Sequence, residues 1–115
     1  MLAMDRTSLT KEIIAHYERH GWKLRRVLLR AQTRNELGNY DDRLGGLEPI
    51  DSEVDALWFA RPSSAGREAW ELRLLAESPY ALFQAFEADE PETDREDARR
   101  EMENQMRDYA VKSQS

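Results

Sequence analysis

Leu9, Ile13 and Tyr17 recur every four residues with Ile14 beside them, an apolar stripe of helical period over 9–20. Ser8 or Thr10 can cap its start, and Gly21 supplies a left-handed stop. From 22 to 30 the period changes to two. Trp22 and Leu24 share one parity and Val27 and Leu29 the other, so the alternation slips at Arg25-Arg26, and a bulge there would restore a single apolar face to the strand. Thr33-Arg34-Asn35-Glu36 has the spacing of a capping box, and Leu37, Tyr40 and Leu44 then mark a short helical segment weakened by Gly38 and closed by Gly45-Gly46.

Three strand patterns follow. Residues 54–61 (VDALWFAR) are apolar at both parities, and Pro62-Ser63-Ser64-Ala65-Gly66 is turn chemistry. Residues 67–76 (REAWELRLLA) alternate, with Trp70, Leu72 and Leu74 on one side and Glu71, Arg73 and Leu75 on the other. After the turn at Ser78-Pro79, residues 80–87 (YALFQAFE) complete a three-stranded antiparallel meander, the simplest pairing for such short connections. Thr93-Asp94-Arg95-Glu96 repeats the capping-box spacing, and Ala98, Met102, Met106 and Tyr109 line one face of a helix over 94–110.

These elements predict a single α+β domain over 1–115, with tails at 1–7 and 112–115 that fray. The expected architecture is a two-layer sandwich. An antiparallel sheet of about four strands is packed by the N- and C-terminal helices, in the order α-β-(α)-β-β-β-α.

Composition narrows the class. The 115 residues carry 17 Lys+Arg against 23 Asp+Glu, a net charge of −6, and 40% are hydrophobic, enough large apolar side chains for one core. The absence of cysteine excludes disulfides, thiolate metal sites and a cysteine nucleophile. The longest apolar runs are far short of the ~20 residues that span a bilayer, and Met1-Leu2-Ala3-Met4-Asp5-Arg6 has no signal-peptide pattern. A cytoplasmic protein without a membrane partner is expected. The charge is segregated: residues 1–34 hold eight basic against three acidic side chains, +5, and the remainder nine against twenty, −11.

Four groups of residues could carry chemistry. His16 and His20 stand one helical turn apart and are the weak candidates for a metal, but zinc needs three or four protein ligands and no third has a recognisable spacing. Two solvated histidines near a helix C-terminus account for the pair as well. Trp22, Lys23, Arg25, Arg26 and Arg30 combine rings with cations, as a single-strand nucleic-acid platform does, although alternation divides them between two faces and the net charge opposes binding. Between Glu87 and Asp97 seven of eleven residues are acidic, without the loop of a calcium site. Arg61-Pro62-Ser63-Ser64-Ala65-Gly66-Arg67 leads into a strand rather than a helix, so it is a hairpin before it is a phosphate loop. No catalytic motif is present, and neither an enzyme nor a cofactor is expected.

The aromatics supply the leading functional expectation. Trp58, Phe59, Trp70, Tyr80, Phe83 and Phe86 fall in adjacent strands at both parities. With both helices on one face of the sheet, Leu57, Phe59, Leu75 and Phe86 would line an exposed second face, unless segment 31–50 folds across it. The expectation is a small non-enzymatic protein-interaction module whose partner is another protein or a second copy of itself. The alternatives are nucleic-acid binding through 22–30 and ligand or metal binding near His16 and His20.

Overall fold

A computed structural model of the chain describes residues 5–38, 44 and 46–114. The elements run α1 (Arg6–Arg19), β1 (Lys23–Leu29), α2 (Ala31–Leu37), β2 (Ile50–Asp51), β3 (Ala56–Pro62), β4 (Glu68–Leu74), β5 (Ala81–Phe86) and α3 (Glu92–Gln114). The α+β class and the antiparallel β3-β4-β5 meander are as expected. The sheet, however, is mixed and five-stranded, in the order β2-β1-β3-β4-β5, because Ile50 and Asp51 pair in parallel with Leu28 and Leu29. Two residues bounded by Pro49 are too short to show an alternation, which is why the pattern did not announce β2.

The bulge is where the slip in alternation placed it. Leu24 pairs with Phe59 and Arg26 with Trp58, leaving Arg25 as the extra residue. Leu24, Val27 and Leu29 therefore share one face, and Arg26 and Leu28 the other.

The two terminal helices lie on opposite faces, making three layers instead of two. Ile13, Ile14 and Tyr17 of α1 pack with Leu24, Val27, Leu29, Leu57, Phe59 and Leu75, joined by Leu37 of α2 and by Leu44. Met102 and Met106 of α3 pack with Leu28, Trp58, Trp70, Leu72, Leu74 and Phe86 on the reverse face. A central strand apolar at both parities needs cover on both sides, and β3 obtains it. The expectation of an exposed face is thereby overturned: Leu57, Phe59, Leu75 and Phe86 are all buried within the single chain.

At α1 and α2 the caps are not the hydroxyls that the sequence offered. Asp5 caps α1, its Oδ1 accepting from the Ser8 amide at 2.8 Å. Residues 5–7 are thus part of the fold, while 1–4 lie outside the described residues. Thr33 lies inside α2, and its hydroxyl donates to Asp55 Oδ2 at 2.6 Å. Asp55 is 4% exposed and also accepts from the Arg30 amide at 2.7 Å and from the Arg6 guanidinium at 3.1 Å. One buried carboxylate therefore joins α1, the end of β1, α2 and the approach to β3. Tyr40 and Gly45 lie outside the described residues, and α3 continues beyond 110 to Gln114.

Candidate functional site

Two features on the α1 side of the sheet stand apart from the packed core: an open strand edge and a group of hollows beside it. α1 covers β1 and β3 but leaves the β4–β5 half of that face open. There, Arg73, Glu71 and Ala69 of β4 stand opposite Ala81, Phe83 and Ala85 of β5.

β5 is the outermost strand. The Leu74 amide donates to the Tyr80 carbonyl at 2.9 Å, and the ladder continues through the pairs Leu72–Leu82, Trp70–Gln84 and Glu68–Phe86. Antiparallel alternation then turns the backbone groups of Ala81, Phe83 and Ala85 away from β4. Among the described residues these outward groups have a single partner, the Gln84 side-chain amide, which donates to the Ala85 carbonyl at 3.2 Å. The strand reads Ala-Leu-Phe-Gln-Ala-Phe and contains no charge and no proline. Phe83 is 59% exposed, and its ring meets Trp22 edge-on at 6.4 Å.

The hollows surround His16 and Tyr17. One of about 600 Å³ runs between α1 and the end of β4, lined in part by His16, Arg19, Arg73 and Glu77. A second of about 330 Å³ lies towards Pro79 and Tyr80, and a third of about 240 Å³ reaches His20, Trp22 and Arg61. The Tyr17 ring stacks on Phe59 at 4.0 Å, and its hydroxyl donates to Glu71 Oε2. Burial first, then this bond to a carboxylate, pushes the Tyr17 phenol well above its ordinary pKa, so it stays a donor. Arg73 donates to the carbonyls of Leu74 and Ala76, and burial pushes its guanidinium down. Arg61 lies over the Trp22 ring at 4.6 Å and donates to the His20 carbonyl at 2.9 Å.

Arginines elsewhere are mostly neutralised by carboxylates. Arg6, Arg26, Arg30, Arg34, Arg67, Arg95, Arg99, Arg100 and Arg107 each have one within ion-pair distance. Of the four described arginines that do not, three (Arg19, Arg61 and Arg73) line these hollows. The fourth is Arg25, at the bulge.

His16 and His20 are brought together, their rings 4.6 Å apart and exposed, with His20 Nδ1 donating to the His16 carbonyl at 2.8 Å. Among the described residues no cluster of three or more potential metal-ligating side chains forms around them or elsewhere. The basic and aromatic residues of 22–30 are not brought together. Trp22 packs towards the α1-side core. Arg26 makes a two-pronged bond to Glu96 at 2.9 Å on the α3 side, and Arg30 is held by Asp55. Lys23 and Arg25 remain exposed.

The sequence reading missed the roles of Phe83, Glu71 and Arg73. A signal was present for the first: the last strand of a meander is an edge candidate, and an uncharged last strand is unusual in a chain that is 35% charged. The hollows had no such signal, since they depend on where α1 lies. Among the described residues no helix is long and apolar enough to cross a membrane. No known family model matches the chain, and comparison with curated proteins and with solved structures finds no match.

Proposed function

We propose that the chain is a non-enzymatic protein-interaction module that self-associates through the outer edge of β5. The observation that carries this reading is the uncharged six-residue edge with outward backbone groups at Ala81, Phe83 and Ala85. Such an edge is a template for strand addition, and proteins that remain monomeric blunt theirs with lysine, proline or a covering loop. The surface differs from the one expected of the sequence, because Leu57, Phe59, Leu75 and Phe86 belong to the core, and the large apolar residues left exposed are Phe83 of β5, Ile50 of β2 and Val111 of α3. Light scattering across a concentration series tests the reading: the wild-type chain gives a dimer mass, and Phe83→Lys gives a monomer with unchanged circular dichroism. A wild-type mass of one chain at every concentration overturns it.

A second reading is favoured by the three unpaired arginines: a small anionic molecule with an apolar body held beside His16 and Tyr17. Titration with benzoate, followed by the fluorescence of Trp22, tests it against Arg73→Gln, which abolishes any response. Nucleic-acid binding loses support, because Arg26 and Arg30 are committed to internal carboxylates and Trp22 lies away from them.

A further inference from the structure

We infer that the partner at β5 is a second copy of the chain, in one register: antiparallel, with Phe83 opposite Phe83 of the other copy. This rests on the reading above and adds to it the geometry of the pairing. A two-fold axis normal to the sheet sets identical edges antiparallel. Only outward-facing residues can then exchange backbone bonds, so Ala81, Phe83 and Ala85 must pair among themselves or with the next outward positions, Pro79 and Glu87.

Both ends of the strand forbid those next positions. Pro79 has no amide hydrogen, so a register centred on Leu82, which sets Pro79 opposite Ala85, loses bonds at both ends of the pairing. Glu87 is already used: its amide donates to Glu90 Oε1 at 3.1 Å, and its carbonyl accepts from the Glu90 amide at 3.2 Å and from Arg95 at 2.7 Å. A register centred on Gln84, which sets Glu87 opposite Ala81, would have to break that loop. Centring on Phe83 uses Ala81–Ala85, Phe83–Phe83 and Ala85–Ala81 and nothing else. It requires only that the Gln84 amide leave the Ala85 carbonyl.

Side chains and charge agree with this register. On the α1 side the two Phe83 rings meet at the axis, flanked by alanines that leave them room. Residue 87 of one copy lies opposite residue 79 of the other, so the acidic exit of each β5 (Glu87, Asp89) runs beside the partner's Pro79–Tyr80 corner. That corner shares a hollow with Arg73, which has no carboxylate within ion-pair distance; Glu87 already pairs with Arg67 at 3.0 Å, so Asp89 is the acid left for the partner's Arg73. The product is one continuous sheet of two five-stranded halves.

The chain has no cysteine, so single replacements report the register directly. Facing residues that exchange backbone bonds have Cα atoms about 5.5 Å apart, inside the disulfide range of about 4.4–6.8 Å. Ala81 and its copy would be separated by four residues along the strands, about 14 Å. Under mild oxidation Phe83→Cys cross-links about tenfold faster than Ala81→Cys, and an equimolar mixture of A81C and A85C gives the mixed dimer while keeping Phe83 intact. A wild-type dimer by light scattering in which A81C cross-links as fast as F83C, or in which the A81C and A85C mixture gives none, overturns this register and leaves self-association standing. A strict monomer overturns both.

Discussion

The two edges of the sheet are built in opposite ways. β2, at one edge, is two residues long, follows Pro49, and carries Asp51, which pairs with Arg34 at 2.5 Å. β5, at the other, is three times as long, contains no charge and presents Phe83. Shortness, charge and proline are the devices by which sheets discourage unwanted pairing, so one edge is closed to partners and the other is left open. The lesson concerns where the apolar surface went. A helix lies on each face of the sheet, the α1 side staying open over β4 and β5, and β5 is the edge that carries none of these devices.

The largest expected effect lies away from both edges, at the buried carboxylate that joins α1, β1, α2 and β3. Asp55→Ala removes the acceptor shared by Arg6, Arg30 and Thr33, costing on the order of 3 kcal/mol because buried or half-buried donors lose their partner. Urea denaturation measures the loss, and cross-linking at Phe83 keeps its register if the edges are independent. Phe83→Lys comes next. It weakens the dimer about thirtyfold, equivalent to about 2 kcal/mol of association energy, with little change in the stability of the monomer.

On the α3 side a pH-sensitive bond ties β1 to α3. The Arg26 guanidinium, followed by that of Arg99, holds the Glu96 carboxyl down to about 2. A depressed carboxyl contributes stability that is complete above its ordinary pKa of about 4.5 and is lost as pH falls through about 2. Glu96→Gln therefore melts below wild type at pH 7, and the gap in Tm narrows as pH falls through that window; a gap independent of pH would contradict the assignment. Arg99, 2% exposed and lying over Trp70 at 4.4 Å, depends on the same carboxylate and on Glu92, since its Nε has no partner. The smallest effect is Asp51→Asn. An exposed ion pair contributes under about 0.5 kcal/mol, so the melting temperature barely moves, and an unchanged oligomeric mass shows that shortness and Pro49 close that edge without the charge.

The local pattern was sufficient for the elements other than β2. The four-residue stripe of α1, the slip at Arg25-Arg26, the alternation of β4 and the methionine face of α3 each depend on neighbours within a few positions, and each formed as read. The candidate site was legible only in fragments. Residues 80–87 could be read as a last strand whose single charge, Glu87, is at its end, and His16 and His20 as an adjacent pair. Glu71 and Arg73 looked like the outer face of a strand, because nothing local says that Tyr17, 54 positions away, reaches over to bond Glu71.

What the sequence determined by itself was periodicity, the bulge and the turns, all consequences of backbone sterics and side-chain spacing. It also determined that β3 is apolar on both sides. Which helix covers which side was decided by the tertiary structure alone. Two amphipathic helices can pack on one face or on two, and the choice rests on the summed burial of residues far apart in the chain. That choice buried Leu57, Phe59, Leu75 and Phe86, and it left the outer edge of β5 uncovered for the strand addition proposed above.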